Sequence, residues 1–356
     1  MAKKLTSHDR FQRMFEHKEA DRVPIVDHPW ADTIERWQRE GMPKGMSYVD
    51  YFDIDSAPLF GVDTSPRYPE KVVEQTDEYV ISTTSWGVTK RTWTHASSTP
   101  EFVGHTIVDA ASWREAKKRM TPTKDRINWD RLKTDYAEWK QKGLWTACLL
   151  WYGFDVTHSW AVGTERLLMA LAEDPEWCAD MFTTYLDVNI ALLEQVLDAG
   201  YTFDSTYCYD DLGFKHNQFM SLNMFRELLK PVHKRAIEWA HSKGMKTELH
   251  SCGDVMPFVP EFVEIGLDGL NPLEVKAGMD PIKLKKKFGK ELVLHGGLNA
   301  SIWGKSDQFD AEMRKLVPVL KKGGGYICGS DHSVPSSVSL EDFRRFVEMA
   351  KELGKY

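Results

Sequence analysis

Apolar positions along this chain fall into short, dense runs that alternate with longer stretches of helical period. The segment SHDRFQRMFEHK repeats its apolar residues every three to four positions and predicts a helix with Ser7 or Asp9 as N-cap. RVPIVDH follows as a short buried strand whose end carries Asp27 and His28, and residues 32–40 predict a helix that stops at Gly41. Residues 79–93 alternate as a hairpin with its turn near Trp86 and Gly87, an excursion outside the main repeat. From LWTACLLWYG (144–153) onward the pattern is regular. A long helical region at 163–200 leads to a strand at 203–213, and then to the helix FRELLKPVHKRAIEWAHSKG, which contains Pro231. KTELHSC, LDGLNPLE, ELVLHGG and GGGYICGSD are further strands, separated by helices such as PFVPEFVEIG and SDQFDAEMRKLVPVLKKG.

Strands that end in Gly, Asp or Asn and lead into helices describe βα units around a parallel sheet. About seven or eight such units predict a closed (β/α)8 TIM barrel rather than an open doubly wound sheet. No GxGxxG follows the first strand, GGLNAS lacks dinucleotide-loop spacing, and there is no P-loop. No linker or internal repeat is visible, so residues 1–356 read as one domain with N-terminal helical and hairpin additions.

Composition narrows the function. With 42% hydrophobic and 28% charged residues, the chain has the make-up of a globular protein with a full core. A net charge of −7 argues against nucleic-acid binding. Five widely spaced cysteines form no disulfide framework and suit a reducing compartment. The N-terminus MAKKLTSHDRFQRMF lacks a signal-peptide apolar core, and no apolar run is long enough to cross a bilayer. A cytoplasmic protein without membrane partners is the expectation.

The chemistry concentrates at predicted strand ends, where barrels place catalytic residues. His250 and Cys252 form a His-x-Cys motif in KTELHSCGD, and Cys328 lies in GGGYICGSDH. One imidazole and two thiolates suit zinc, and three protein ligands leave a fourth position for substrate. Glu248 shares a strand face with His250 and Cys252 if the strand runs on. It then serves as a fourth ligand, as a hydrogen-bond partner of the histidine, or as the partner of a neighbouring Lys or Arg. Asp27, Asp210 and His295 are candidates for orienting substrate or moving a proton, although a strand-end Asp also commonly caps a helix. Asp211 reads as a cap or surface residue, and His332 as a loop-fixing residue or a support to the metal ligands. Of thirteen tryptophans, most belong to an aromatic core. Trp30, Trp151, Tyr152 and Tyr209, with Asn271, are placed to line a pocket for a flat ligand.

Across nearly its whole length, from RVPIVDHPWADTIERW through SLNMFRELLKPVHKRAIEWAHSKGMKTELHSCGDV to ICGSDHSVPSSVSLEDFRRFVEMAKELGKY, the sequence resembles the uroporphyrinogen decarboxylase superfamily. Its His-x-Cys…Cys pattern resembles the zinc-dependent methyltransferases of that superfamily, which exchange methyl groups with a corrinoid protein. Some of these methylate coenzyme M, and others demethylate methoxylated aromatics. The resemblance implies a TIM barrel, zinc held by His250, Cys252 and Cys328, and a cobalamin carried by a separate corrinoid protein. No DxHxxG-type cobalamin motif is present in the chain itself, and homo-oligomerisation is left open. The decarboxylase proper is a weaker match. Where that family carries an arginine-containing motif, this chain has VPIVDHPWADT, with no arginine before Arg36. An acidic entrance is the wrong sign for a polycarboxylate. A metal-free decarboxylase, a zinc hydrolase and a non-catalytic binding protein are the alternatives.

Overall fold

The computed structural model describes residues 5–95 and 99–356; Met1 to Lys4 of the N-terminal segment lie outside the described residues. Seven parallel strands form one sheet: Leu59–Phe60, Ala147–Trp151, Ser205–Tyr209, Lys246–His250, Gly269–Asn271, Val293–His295 and Tyr326–Ile327. Residues 22–28 supply the eighth. Ile25 bridges Cys328 in parallel on one side, and its carbonyl accepts from Asp55 N–H on the other, just before Leu59–Phe60. The two ends of the sheet are thereby joined, and the barrel closes as the strand–helix count predicts.

Side-chain alternation sorts each strand into an inner and an outer face. Leu149 and Trp151 line the interior with Tyr207, Tyr209, Glu248, His250 and His295. Cys148, Leu150, Tyr152, Cys208 and Leu249 point into the apolar layer beneath the helices. The floor of the barrel is closed by the Ser7–Phe15 helix, whose Phe11 and Phe15 stack on Trp145 at 5.9 and 5.2 Å. Thr6, one residue before the predicted cap, starts that helix. Its hydroxyl accepts from Asp9 N–H, and the Asp9 carboxylate accepts in return from Thr6 N–H, a capping box.

Two predicted helices change form for local reasons. The 163–200 region breaks into Thr164–Glu173 and Pro175–Asp198, because Pro175 favours a first helical position and Asp174 caps Trp177 N–H at 3.1 Å. Around Pro231, the turn Phe225–Leu229 widens to π-helical geometry before Lys230–Ser242 resumes as an α-helix. A wider turn accommodates a residue that has no N–H to donate. The predicted hairpin is present as Tyr79–Thr83 and Val88–Trp93, turning at Gly87 (φ 83°). It belongs to a four-stranded antiparallel sheet with Lys71–Gln75 and Glu101–His105. That sheet leans over the barrel mouth, where Phe102 meets Trp160 and Trp86 meets Trp151. No helix among the described residues is long and apolar enough to cross a membrane.

Candidate metal centre

Parity carries Tyr207, Tyr209 and Asp211 to the interior on one strand, and Glu248, His250 and Cys252 to the interior on the next. Tyr209 and His250 are register partners, and their rings stack at 4.1 Å. Pairing continues past the formal strand ends, since Asp210 N–H donates to His250 O and Gly213 N–H to Cys252 O. Asp211 and Cys252 therefore face each other over His250.

Among the described residues, the donor atoms of Asp211, His250 and Cys252 converge within 4.8 Å of one another. His250 Nε2 lies 3.3 Å from Cys252 Sγ and 3.7 Å from Asp211 Oδ1. Zinc bond lengths in tetrahedral geometry give donor–donor edges of roughly 3.3–3.8 Å. The spacing thus suits a small divalent ion. The other imidazole nitrogen is held as ligand histidines require: His250 Nδ1 lies 2.8 Å from Asn271 Oδ1 and 2.9 Å from the Tyr207 hydroxyl, which itself donates to Asn271 Oδ1 at 2.7 Å. With its proton on Nδ1, the ring offers the Nε2 lone pair to the cluster.

Electrostatics point the same way. Burial pushes Asp211 up to about 7, with the neighbouring Asp155 charge adding to it. The Cys252 thiol is held well above its usual range by burial, then by Asp211 and Glu274. Burial pushes His250 down to about 4, which keeps it neutral. Two half-buried acids that resist ionisation next to each other, beside a neutral imidazole, form a site that a cation would complete. The donor set fits zinc.

Of the three side chains predicted to meet, the structure brings His250 and Cys252 together and leaves Cys328 apart. Cys328 is fully buried on the outer face of its strand, with Tyr326, while Ile327 takes the inward position opposite His295. Burial pushes its thiol up to about 12. Asp211, and not Cys328, is the residue whose donor atom lies with those of His250 and Cys252. Glu248 is on the inner wall but outside the donor group, and its carboxylate lies 2.6 Å from His295 Nδ1.

Two proposed acids prove to be braces. Asp210 points away from the mouth, 3.0 Å from His233 Nε2, whose Nδ1 lies 2.9 Å from the Tyr152 hydroxyl; its other oxygen accepts from Asp155 N–H at 2.7 Å. Tyr152 shares that outer face and is fully buried, so it cannot line the pocket. Asp27 accepts from His28 N–H and from both the N–H and hydroxyl of Ser330, tying the first strand to the last.

Of the other residues expected to line a pocket, Asn271 sits behind His250, in a small inner cavity rather than in the mouth. A mouth cavity of about 630 Å³ is lined by Trp30, Trp151 and Tyr209, together with His332 and the unforeseen Phe102, Asp155, His158, Trp160 and Phe219. A deeper chamber of about 210 Å³ runs down the barrel past Tyr207, Glu248 and His295 to Phe11 and Trp145. His250, Tyr209 and Ser333 line both, so the donor cluster stands at their junction. A wider surface groove of about 860 Å³ shares only Phe102 with the mouth and lacks these donors. Trp151 donates its indole N–H to Asp155 at 2.7 Å, which fixes both on the wall.

The family model described as uroporphyrinogen decarboxylase matches residues 157–353, more than half of the chain. Among solved structures, a methyltransferase from Methanosarcina mazei superposes with a TM-score of 0.64 at 16% identity, covering 98% of this chain and 99% of that one. At that identity the likeness is one of fold. An IOLI protein with a bound zinc atom matches at a TM-score of 0.30 and 15% identity, over 70% of this chain and 92% of that one, too distant to bear on the site. No curated protein matches.

Proposed function

Since this chain belongs to the uroporphyrinogen decarboxylase family, we propose that it is a zinc-dependent methyltransferase that moves a methyl group between a small molecule and a cobalamin carried by a separate corrinoid protein. The observation that carries this reading is the convergence of Asp211, His250 and Cys252 at the floor of an aromatic cleft. A metal-free decarboxylase has no use for three such donors. Nor would its polycarboxylate substrate be matched by a cleft whose lining contains Asp155 and Asp211 and, among the described residues, neither Lys nor Arg.

Asp211, His250 and Cys252 would hold the ion, and Tyr207 and Asn271 would keep the imidazole aligned. When bound, zinc supplies Lewis acidity at the oxygen or sulfur that exchanges the methyl group. A carboxylate donates less charge than a thiolate, so exchanging Cys328 for Asp211 in the ligand set favours an oxygen leaving group over a thiol acceptor. A methyl ether of an aromatic ring is therefore the preferred substrate. Trp151, Trp160 and Tyr209 offer flat faces to such a ring. His295, braced by Glu248, can pass a proton to a departing oxygen from the inner wall. The open mouth leaves room for the corrinoid partner to approach.

The test is methyl transfer with a reduced corrinoid protein and a panel of methoxyarenes, followed by the cobalt absorbance. Wild type should convert the spectrum to the methylated form, and His250→Ala should fail to do so. Activity on a tetrapyrrole carboxylate that persists after zinc removal would overturn the assignment.

A further inference from the structure

We propose that this cleft selects substrates without an anionic group: an uncharged methoxylated ring, rather than a carboxylated or sulfonated compound. The inference rests on the methyltransferase reading and adds the charge class of its small molecule. Three connected cavities reach the donor cluster, and among the described residues none is lined by a lysine or arginine.

The nearby lysines do not reverse the sign. Lys90 lies over the Trp160 ring at 5.6 Å and is absent from the lining, and Lys276 is within 3.7 Å of Glu274. His250 is taken up by the donor cluster and by its Tyr207 and Asn271 partners. His158 lies 3.6 Å from Asp155, so any charge it gains is offset at once. A divalent ion held by ionised Asp211 and Cys252 is formally cancelled by them. Asp155 is then left to set the sign of the mouth, with Glu248 and Asp27 in the linings of the two inner cavities. A carboxylate brought close to it, between low-dielectric aromatic walls, meets like-charge repulsion and finds no bidentate cation to replace its lost water. A neutral ring meets Trp151, Trp160, Phe102 and Phe219 without that cost.

Direct binding to the zinc-loaded protein tests this without a corrinoid partner. By calorimetry at pH 7, 2-methoxyphenol should bind at least tenfold more tightly than 4-hydroxy-3-methoxybenzoate, and 2-mercaptoethanesulfonate should bind weakly. Trp30→Arg places a cation on the exposed rim of the lining and should shrink the ratio of 2-methoxyphenol to benzoate affinity at least fivefold, whatever the lost indole face costs both ligands. Benzoate binding equal to or tighter than 2-methoxyphenol overturns the proposal, as does binding of none of the three. Methyl transfer from a tightly bound benzoate would sink the charge rule and leave the methyltransferase reading intact. Preference for the neutral ring without methyl transfer to any corrinoid would do the reverse.

Discussion

Asp210 and Asp211 are adjacent and chemically identical, yet one braces the outer layer and the other faces the donors. Parity decides between them. Tyr209 is legible as a pocket residue, so the position two further on shares its face, and reading Asp210 as the catalytic acid placed the wrong neighbour inside. Asp210→Ala strands His233 Nε2 and Asp155 N–H in the core. It should cost about 2–6 kcal/mol in urea unfolding, since each of the two buried unpaired groups costs about 1–3 kcal/mol. Asp27 gives a pH-dependent test. Burial pushes its carboxyl up from 3.8 to about 6, so the folded state holds a proton that the unfolded chain has released between those values. Its contribution to stability is complete below the lower value and is lost as pH rises through the higher. Against Asp27→Asn, wild type should lose on the order of 2–3 kcal/mol between pH 4 and 7, at about 1.36 kcal/mol for each pH unit that separates the folded and unfolded values. A flat difference across that range would show that Asp27 is ionised throughout. The His-x-Cys pair was legible from its spacing together with its place at the end of a predicted strand. Cys328 misled because the face of so short a strand is set by its register with His295, which sequence does not reveal.

At the level of elements, strand existence and order were legible because apolar runs alternate with helical periods. The loops that shape the mouth were not, since their form comes from contacts between distant segments. Gly253 shows this. It follows Cys252 directly with φ at 83°, and a Cβ there would lie 2.2 Å from Gly213 C and 2.3 Å from Phe214 N. Those are backbone atoms of the neighbouring strand's extension and cannot swing aside. Gly253→Ala should therefore push apart the two loops that carry Asp211 and Cys252. It should lower both the unfolding midpoint and the zinc content of the purified protein; unchanged values for both would mean that the loops are slack. The π-helical turn Val156–Ala161, which delivers His158 and Trp160 to the cleft, had no periodic signature that would separate it from an ordinary helix start.

For the molecule as a whole, the closed barrel explains why residues far apart in sequence meet at one rim. Successive parallel strands present their ends on the same side, and a donor from each loop needs to travel only one strand spacing to reach the next. The same closure places Cys328 near the mouth in sequence terms while burying its sulfur behind the sheet. Zinc stoichiometry of purified variants separates these two positions most directly. Wild type and Cys328→Ser should each carry about one zinc per chain, as a single three-donor site requires, while Cys252→Ser and Asp211→Asn should carry far less at equal folded fraction. Zinc lost from Cys328→Ser, or retained in Cys252→Ser, would contradict the account.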